Sequence, residues 1–179
     1  TAPDQTGTVG LYPSLELDSS GNPVIDYYRS DNGNLKVMHC NDPNCAGGNE
    51  SIEAVDTLGT VGFNPSLALA HLGYPVVSYY DTSNGDLKVL RCNDPNCAGG
   101  NESITSPVTT GDVGLYSALF VDTIHHPNIA FTDSTGLVKF MRCNDDNCSG
   151  GNETITTVGA EAQFVSMVRD SSGFPVITW

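Results

Sequence analysis

Six cysteines provide the clearest chemistry in this sequence. They form three C-x4-C pairs at a regular spacing: Cys40/Cys45, Cys92/Cys97 and Cys143/Cys148. Turn-forming residues between the cysteines of each pair favour a tight loop that brings the two sulfur atoms together. Each pair offers two thiols and no recurrent histidine, which falls short of the four ligands of a structural zinc site. The pattern therefore predicts three local disulfides that rigidify exposed loops, and it indicates an oxidising, extracellular setting.

An N-glycosylation motif follows each cysteine pair. The tripeptides that begin at Asn49, Asn101 and Asn152 all have the form N-x-[ST]. One interpretation is that the repeats simply copy a Gly-Gly-Asn turn. The sharper hypothesis is one glycan per repeat on an outer rim.

Acidic side chains in the cysteine loops raise the question of a cation site. Asp42, Asp94 and Asp145 lie beside asparagines there, and carboxylate and amide oxygens are the ligands that calcium prefers. No segment matches an EF-hand loop. We therefore expect no cofactor, with calcium bound at these aspartates as the alternative.

Basic residues concentrate on one strand of each repeat. Five of the seven lie on the predicted third strand: Lys36, Lys88, Arg91, Lys139 and Arg142. The fourth strand beside it begins with a glutamate: Glu50, Glu102 or Glu153. Opposite charges on adjacent strands predict cross-strand ion pairs. An anion-binding stripe is the functional alternative.

Aromatic residues recur at two positions of the repeat. The positions of Tyr27, Tyr79 and Phe131 are equivalent and predict packing between sheets. Tyr12, Phe63 and Tyr116 recur near the start of each first strand, and exposed rings of this kind stack on sugars. These three are therefore candidates for sugar stacking.

Catalytic motifs are weak. Acidic residues abound, but no pair stands out as the two carboxyl groups that glycoside hydrolysis needs. The four histidines do not recur between repeats, and no Gly-x-Ser-x-Gly elbow occurs. We expect no enzymatic activity.

All these residues belong to a repeat. Residues 9–15 return 52 residues later as 61–67, and again in a degraded form as 113–119. Full units span 9–58, 61–110 and 113–157, followed by a partial unit at 158–179 and preceded by a segment, 1–8, that is similar to the tail of another unit.

Each full unit contains four short strands separated by turn signals. In the first unit the predicted strands are 12–18, 23–29, 34–40 and 50–56. The second strand is apolar on both faces, which places it between neighbouring sheets. A repeated four-stranded unit of about 50 residues is typical of a β-propeller blade, with an extended solenoid of small sheets as the alternative.

At this level the chain resembles a bacterial extracellular β-propeller repeat and, distantly, propeller lectins. Three segments of the second unit carry the resemblance: 65–69, 74–81 and 85–89. The resemblance covers almost the whole chain. It implies an all-β array of four-stranded antiparallel blades, about three and a half of them, but no particular function, because propellers include lectins, hydrolases and scaffolds.

Three and a half blades do not close a ring, and an unpaired strand edge invites pairing with another chain. The chain is therefore a fragment of a longer protein, or copies associate through the open half-blade by strand addition, or it folds as an isolated partial propeller. The sequence leaves these three explanations open.

Composition limits the classes of partner. Asp plus Glu number 21 against 7 Lys plus Arg, for a net charge of −14, which argues against nucleic acid and anionic membranes. No apolar run is long enough to span a membrane, and the polar start shows no signal peptide. The first hypothesis is a non-catalytic extracellular structural or assembly module, glycosylated in a surface layer or fibre. A carbohydrate-binding propeller lectin is the alternative, and a glycoside hydrolase-type propeller is the third hypothesis.

Overall fold

The computed structural model describes residues 2–179, so Thr1, the first residue of the predicted leading segment, lies outside the described residues. It contains fourteen β-strands and a short 3-10 turn at His71–Gly73. Within residues 2–179 there is no helix with the length and apolar character needed to cross a membrane.

Twelve strands form three four-stranded antiparallel sheets, which we call blades 1 to 3. Blade 1 contains β1 (Leu11–Leu17), β2 (Pro23–Arg29), β3 (Asn34–His39) and β4 (Ser51–Asp56). Blade 2 contains β5 (Val61–Leu69), β6 (Pro75–Asp81), β7 (Asp86–Arg91) and β8 (Ser103–Val108). Blade 3 contains β9 (Val113–Val121), β10 (Pro127–Asp133), β11 (Val138–Arg142) and β12 (Thr154–Gly159). The half-blade contains β13 (Ser166–Arg169) and β14 (Pro175–Thr178). The predicted all-β, propeller-type array of about three and a half blades is confirmed.

The second strand of each blade is sandwiched because it is apolar on both faces. Every residue of β6 is buried. Val77 and Tyr79 pack against blade 1, whereas Val76, on the other face, packs against blade 3. The hydrophobic core therefore consists of the layers between consecutive blades rather than of one central cluster.

First strands lie side by side along the array, β1 next to β5, β5 next to β9 and β9 next to β13. One backbone hydrogen bond joins each blade to the first strand of the next blade or to the segment that leads into it. The N–H groups of Val61, Val113 and Ala162 donate to the carbonyls of Gly33, Gly85 and Gly136 at 2.8, 3.0 and 3.1 Å, respectively. Each blade is thus held to its neighbour both by apolar packing and by main-chain bonding.

The predicted pairing of the basic residues on the third strands with Glu50, Glu102 and Glu153 is wrong. Each glutamate instead accepts the backbone N–H of the asparagine that opens its cysteine loop, at 2.8, 2.7 and 2.6 Å for Asn41, Asn93 and Asn144. Closing the loop leaves an orphan N–H, and the carboxylate satisfies it. The glutamate on the adjacent strand therefore bonds to the cysteine loop and does not pair with the lysine.

The lysines pair with aspartates instead, two of them across the boundary between units. Lys88 Nζ lies 2.5 Å from Oδ2 of Asp56, which also accepts the hydroxyl of Tyr79 at 2.7 Å. Asp4 accepts from Lys36 and from Tyr27 in the same way. Residue 4 thus has the role for blade 1 that residue 56, at the end of β4, has for blade 2.

Blade 3 replaces this triad with an apolar contact. Val108 stands at the aspartate position and Phe131 at the tyrosine position, and the partly buried Val108 packs against the buried cluster that contains Phe131. Lys139 then pairs with Asp133 of its own blade at 2.9 Å. The aspartate and the tyrosine hydroxyl that donates to it therefore occur together in blades 1 and 2, and both are missing in blade 3.

Candidate functional site

Two clefts of similar size open on one face of the array. The first lies between blades 1 and 2 and has a volume of about 550 Å³. The second lies between blade 3 and the half-blade and has a volume of about 560 Å³. Both are bounded by the turns that join first and second strands in adjacent blades, and by the end of a third strand. We call them cleft 1–2 and cleft 3–4, and their equivalent placement makes them the candidate sites.

Cleft 1–2 combines a hydrogen-bonded polar group with an apolar wall. Nε2 of His39 lies 3.1 Å from Oδ2 of Asp18, and its Nδ1 lies 3.0 Å from Oδ1 of Asn96. The apolar wall is formed by Leu17, Leu69, Leu72 and Pro95. Because His39 ends β3 and Asn96 lies in the cysteine loop of blade 2, the histidine links the two blades.

Cleft 3–4 also combines a polar pair with an apolar wall, and it contains more charged groups. Nη2 of Arg142 lies 3.3 Å from Oδ2 of Asp122, and the arginine side chain is 57% exposed. Arg169, at the end of β13, lines the opposite side. Apolar side chains complete the cleft: Ile124, Phe140, Phe174 and Pro175.

The carboxylate in each cleft is fixed by its own turn. Oδ1 of Asp18 accepts the backbone N–H of Asn22 at 2.8 Å, and Oδ1 of Asp122 accepts that of His126 at 3.0 Å. The bond from Asn22 lowers the pKa of Asp18. Burial raises the pKa of Asp122, but the N–H donors and Arg142 outweigh burial, and the net pKa lies below its usual value. Both carboxylates are therefore ionised and oriented at neutral pH.

The equivalent position between blades 2 and 3 is spanned by Arg91. Its Nη2 lies 3.1 Å from Oδ2 of Asp146, and its Nη1 donates to the carbonyl oxygen of Asp146 at 3.2 Å. Asp146 stands where blade 2 has Pro95. A carboxylate in the next cysteine loop thus draws the arginine across the gap, whereas a proline leaves cleft 1–2 open beside His39.

The residue just before each first cysteine was available in the sequence but was not recognised as a set. His39, Arg91 and Arg142 precede Cys40, Cys92 and Cys143 directly. Because one of them is histidine, the three do not look like a recurring basic position. Arg169 and Phe174 belong to the partial unit, so no complete repeat drew attention to them.

The three predicted disulfides are confirmed. Cys40–Cys45, Cys92–Cys97 and Cys143–Cys148 are bonded, with Cα–Cα distances of 5.0, 5.0 and 4.9 Å. The loops that the bridges close are largely exposed, as predicted, although Cys97 and Cys148 are buried in the layers against the preceding blade. The loops therefore take part in packing between blades.

The calcium candidates are engaged by their own loops. Oδ1 atoms of Asp42, Asp94 and Asp145 accept the backbone N–H two residues later, at 2.7 Å in each case. Residues 2–179 contain no group of three or more His, Cys, Asp or Glu side chains placed to hold a metal ion. Calcium binding at these loops stays a prediction.

All three sequon asparagines are exposed. Asn49, Asn101 and Asn152 lie in the cysteine loops, on the face that carries the two clefts. Their position leaves the side-chain amides accessible, and their glycosylation stays a prediction.

The sugar-stacking candidates lie away from the clefts. Tyr12 and Phe63 contact each other with ring centroids 4.6 Å apart, and Tyr116 contacts Phe164 at 4.5 Å. Tyr12 and Tyr116, but not Phe63, line a separate cavity of about 270 Å³ at the start of the first strands, whereas Leu17 of cleft 1–2 ends β1. Tyr12 and Tyr116 share a left-handed φ near 50° with Asn64, their true equivalent in blade 2. The bulge that turns these side chains could not be seen in the aromatic pattern.

Comparisons with known proteins show the fold. No protein-family model and no curated protein matches the chain. A mutant of AofleA from Arthrobotrys oligospora matches with a TM-score of 0.60 at 12% identity, over 94% of this chain and 52% of that one. An engineered GH43 glycoside hydrolase matches with a TM-score of 0.59 at 9% identity, over 93% of this chain but 39% of that one. A fucose lectin from Kordia zhangzhouensis, solved with methyl-fucoside, matches with a TM-score of 0.50 at 14% identity, over 82% of this chain and 99% of that one. The chain thus shares a β-propeller fold with these proteins, and it spans 39% of the length of the glycoside hydrolase and 52% of that of AofleA.

Proposed function

We propose that this chain is a non-catalytic carbohydrate-binding module that works outside the cell and holds glycans in cleft 1–2 and cleft 3–4. The observation that carries the proposal is the recurrence, at equivalent positions, of a fixed carboxylate, a basic partner and an apolar wall. Disulfides persist in oxidising compartments, and the three present here support an extracellular location.

Sugars match this combination of groups. A pyranose ring has hydroxyl groups around its edge and C–H groups on its faces. In cleft 1–2, the hydrogen-bonded pair of Asp18 and His39 forms the polar side, while Leu72 is 66% exposed and available for the apolar face. In cleft 3–4, Asp122 is the polar acceptor and Phe174 provides the exposed apolar surface. Sites that bind small ligands usually combine a few oriented polar groups with an apolar surface in this way.

Known structures favour the same class of ligand. The fucose lectin that shares the fold was solved with a sugar bound. The AofleA structure is a mutant in which three evenly spaced arginines were replaced by alanine. The basic residue before each first cysteine recurs here at intervals of 52 and 51 residues, as His39, Arg91 and Arg142.

The clefts are less suited to hydrolysis. Glycosidases need two carboxyl groups that flank the scissile bond, about 5 to 10 Å apart. Cleft 1–2 is lined by one carboxyl group, that of Asp18, and cleft 3–4 by one, that of Asp122. A single ionised carboxylate orients hydroxyl groups without supplying the acid and the nucleophile.

A glycan array followed by titration of the best glycan tests the proposal. Saturable binding is expected, and Leu72→Asn or Phe174→Ala should weaken it about tenfold, since each removes an exposed apolar contact. Leu58→Asn is the matched control, because Leu58 is 81% exposed and lines neither cleft. A blank array, or equal binding by all three variants and the parent, contradicts the proposal.

Assembly is a second candidate function, favoured by the two faces of the array that no blade covers. Leu15 is 55% exposed on blade 1, whereas Leu67, its equivalent, is buried between blades 1 and 2. At the other end, Val168 and Val176 are paired and exposed on the half-blade. Both faces have the apolar pattern of a contact between blades, and we propose that a second copy covers them head to tail.

The mass of the native particle at increasing concentration tests assembly. Particles heavier than one chain of 18.9 kDa are expected, and either Leu15→Asp or Val168→Asp should disperse them by burying a charge in the contact. Leu58→Asp provides the control. A single chain at every concentration excludes the head-to-tail contact.

A further inference from the structure

The lysine and arginine side chains outside cleft 3–4 are paired with carboxylates, whereas those that line this cleft are not fully paired. Each of the three lysines has an aspartate partner: Lys36 with Asp4, Lys88 with Asp56 and Lys139 with Asp133. Arg29 forms two bonds of 2.8 Å to Asp31, and Arg91 is engaged by Asp146. The two other arginines, Arg142 and Arg169, both line cleft 3–4.

These two guanidinium groups are poorly compensated. No other group within residues 2–179 forms a hydrogen bond or ion pair with the side chain of Arg169. Arg142 has one carboxylate partner, Asp122, at 3.3 Å from one nitrogen. Since a guanidinium has five N–H donors, most of the donors in this cleft are free for a ligand.

The cleft brings two guanidinium groups together on an acidic chain. Its titratable lining consists of Arg142, Arg169 and Asp122, and with the neighbouring Asp170 the formal charges balance, in a chain of net charge −14. Asp170, on the adjoining turn, uses Oδ1 to accept the N–H groups of Ser172 and Phe174, both at 2.8 Å. The two arginines remain available to an anion, and planar guanidinium groups bind carboxylates with two parallel bonds.

An apolar surface lies next to these donors. Phe174 is 67% exposed and Ile124 is 57% exposed, and Phe140 completes the wall. An inorganic anion uses the arginines but not this wall. A sugar ring that carries a carboxylate uses both, because its C–H face packs on the aromatic ring.

We propose that cleft 3–4 binds a sugar that carries a carboxylate group, with Arg142 and Arg169 holding the carboxylate and Phe174 packing on the ring. This inference rests on the proposed glycan-binding function and specifies the ligand class for one of its two clefts. Cleft 1–2, with His39 in place of the arginine and no second basic residue in its lining, is expected to bind neutral sugars.

Calorimetric titration with a galacturonic acid trimer and with its methyl ester tests the inference, because esterification removes the negative charge of each carboxyl group and keeps the sugar rings. The acid is expected to bind at least tenfold more tightly, and more weakly as salt is added. Arg142→Gln and Arg169→Gln should each lower the preference for the acid about tenfold, and the double variant should remove it. Arg29→Gln is the matched control, since Arg29 lies in β2 and pairs with Asp31.

The outcomes separate the two proposals. Equal binding of acid and ester, or an acid preference that survives in the double variant, overturns the acidic specificity while a positive glycan array leaves the general function standing. Displacement of the trimer by equimolar acetate overturns it too, because a bare anion is then sufficient. A blank array together with no binding of either probe overturns both.

Discussion

Replacement of Asp56 by valine should lower the free energy of unfolding by about 3 kcal/mol, because it leaves a buried ammonium group and a buried hydroxyl without their shared partner. The carboxylate side chain is 2% exposed and that of Lys88 is 12% exposed. Burial also raises the pKa of Tyr79 far above its usual value, so its hydroxyl stays protonated and must donate. The next carboxylate, Asp81, lies 3.9 Å from the lysine nitrogen and compensates only in part.

The double variant Asp56→Val with Tyr79→Phe should be more stable than Asp56→Val alone. It gives blade 2 the residues that blade 3 has in Val108 and Phe131, and Lys88 is then free to turn to Asp81 as Lys139 turns to Asp133. Removing the stranded hydroxyl should recover about 1 to 2 kcal/mol. The effects of the two substitutions are therefore expected to be strongly non-additive.

Urea unfolding of the parent, the two single variants and the double variant measures this coupling. The matched control is Phe131→Tyr in blade 3, which buries a hydroxyl opposite Val108 and should destabilise the chain, whereas Tyr79→Phe should cost less. Strict additivity of the two substitutions in blade 2 would show that the hydroxyl and the carboxylate do not act as a pair.

Local signals predicted the strands well. The predicted second strand, 23–29, has the bounds of β2, and the predicted third strand ends one residue beyond β3 at His39. Turn residues and apolar spacing act within a few positions of the chain, so a single sequence contains them. The cysteine loops are local in the same sense, because each disulfide closes over five positions.

Contacts between blades were not predictable in this way. Asp56 and Lys88 are 32 positions apart and lie in different sheets, so the neighbouring-strand argument chose Glu102 instead. The clefts depend on the same long-range geometry. Arg91 and Arg142 have the same place in the repeat, yet Asp146 engages the first and the second remains exposed. The difference is whether the next blade provides a carboxylate partner, and the sequence of a single repeat does not contain that information.

Gly62→Ala should be a strongly destabilising substitution. Gly62 has φ of +89°, and a Cβ there would lie 2.6 Å from Cβ and 2.7 Å from Cα of Leu35 in blade 1. The left-handed backbone alone costs a residue with a side chain about 1 to 2 kcal/mol. The clash with the main chain of the preceding blade adds a further cost of about 1 to 3 kcal/mol, because the buried layer has no flexible side chain that can yield.

The repeat itself provides the matched control. Gly10 stands one unit earlier with φ of +82°, and a Cβ built there meets nothing within 4 Å. Gly10→Ala should therefore cost only the backbone strain, and the difference between the two variants measures the close approach of blades 1 and 2. Gly114, with a Cβ position 2.6 Å from Cα of Leu87, should behave like Gly62.

Urea unfolding of dilute, monomeric chain is the appropriate measurement, so that association does not change the surroundings of Gly10. A larger loss for Gly62→Ala and Gly114→Ala than for Gly10→Ala is expected. Equal losses at all three glycines would mean that backbone conformation alone selects glycine, and that the blades can separate without cost. Because cleft 1–2 lies between the same two blades, a larger loss at Gly62 also ties the rigidity of the proposed binding site to this contact: His39 and Asn96, which belong to different blades, stay 3.0 Å apart only while the blades do.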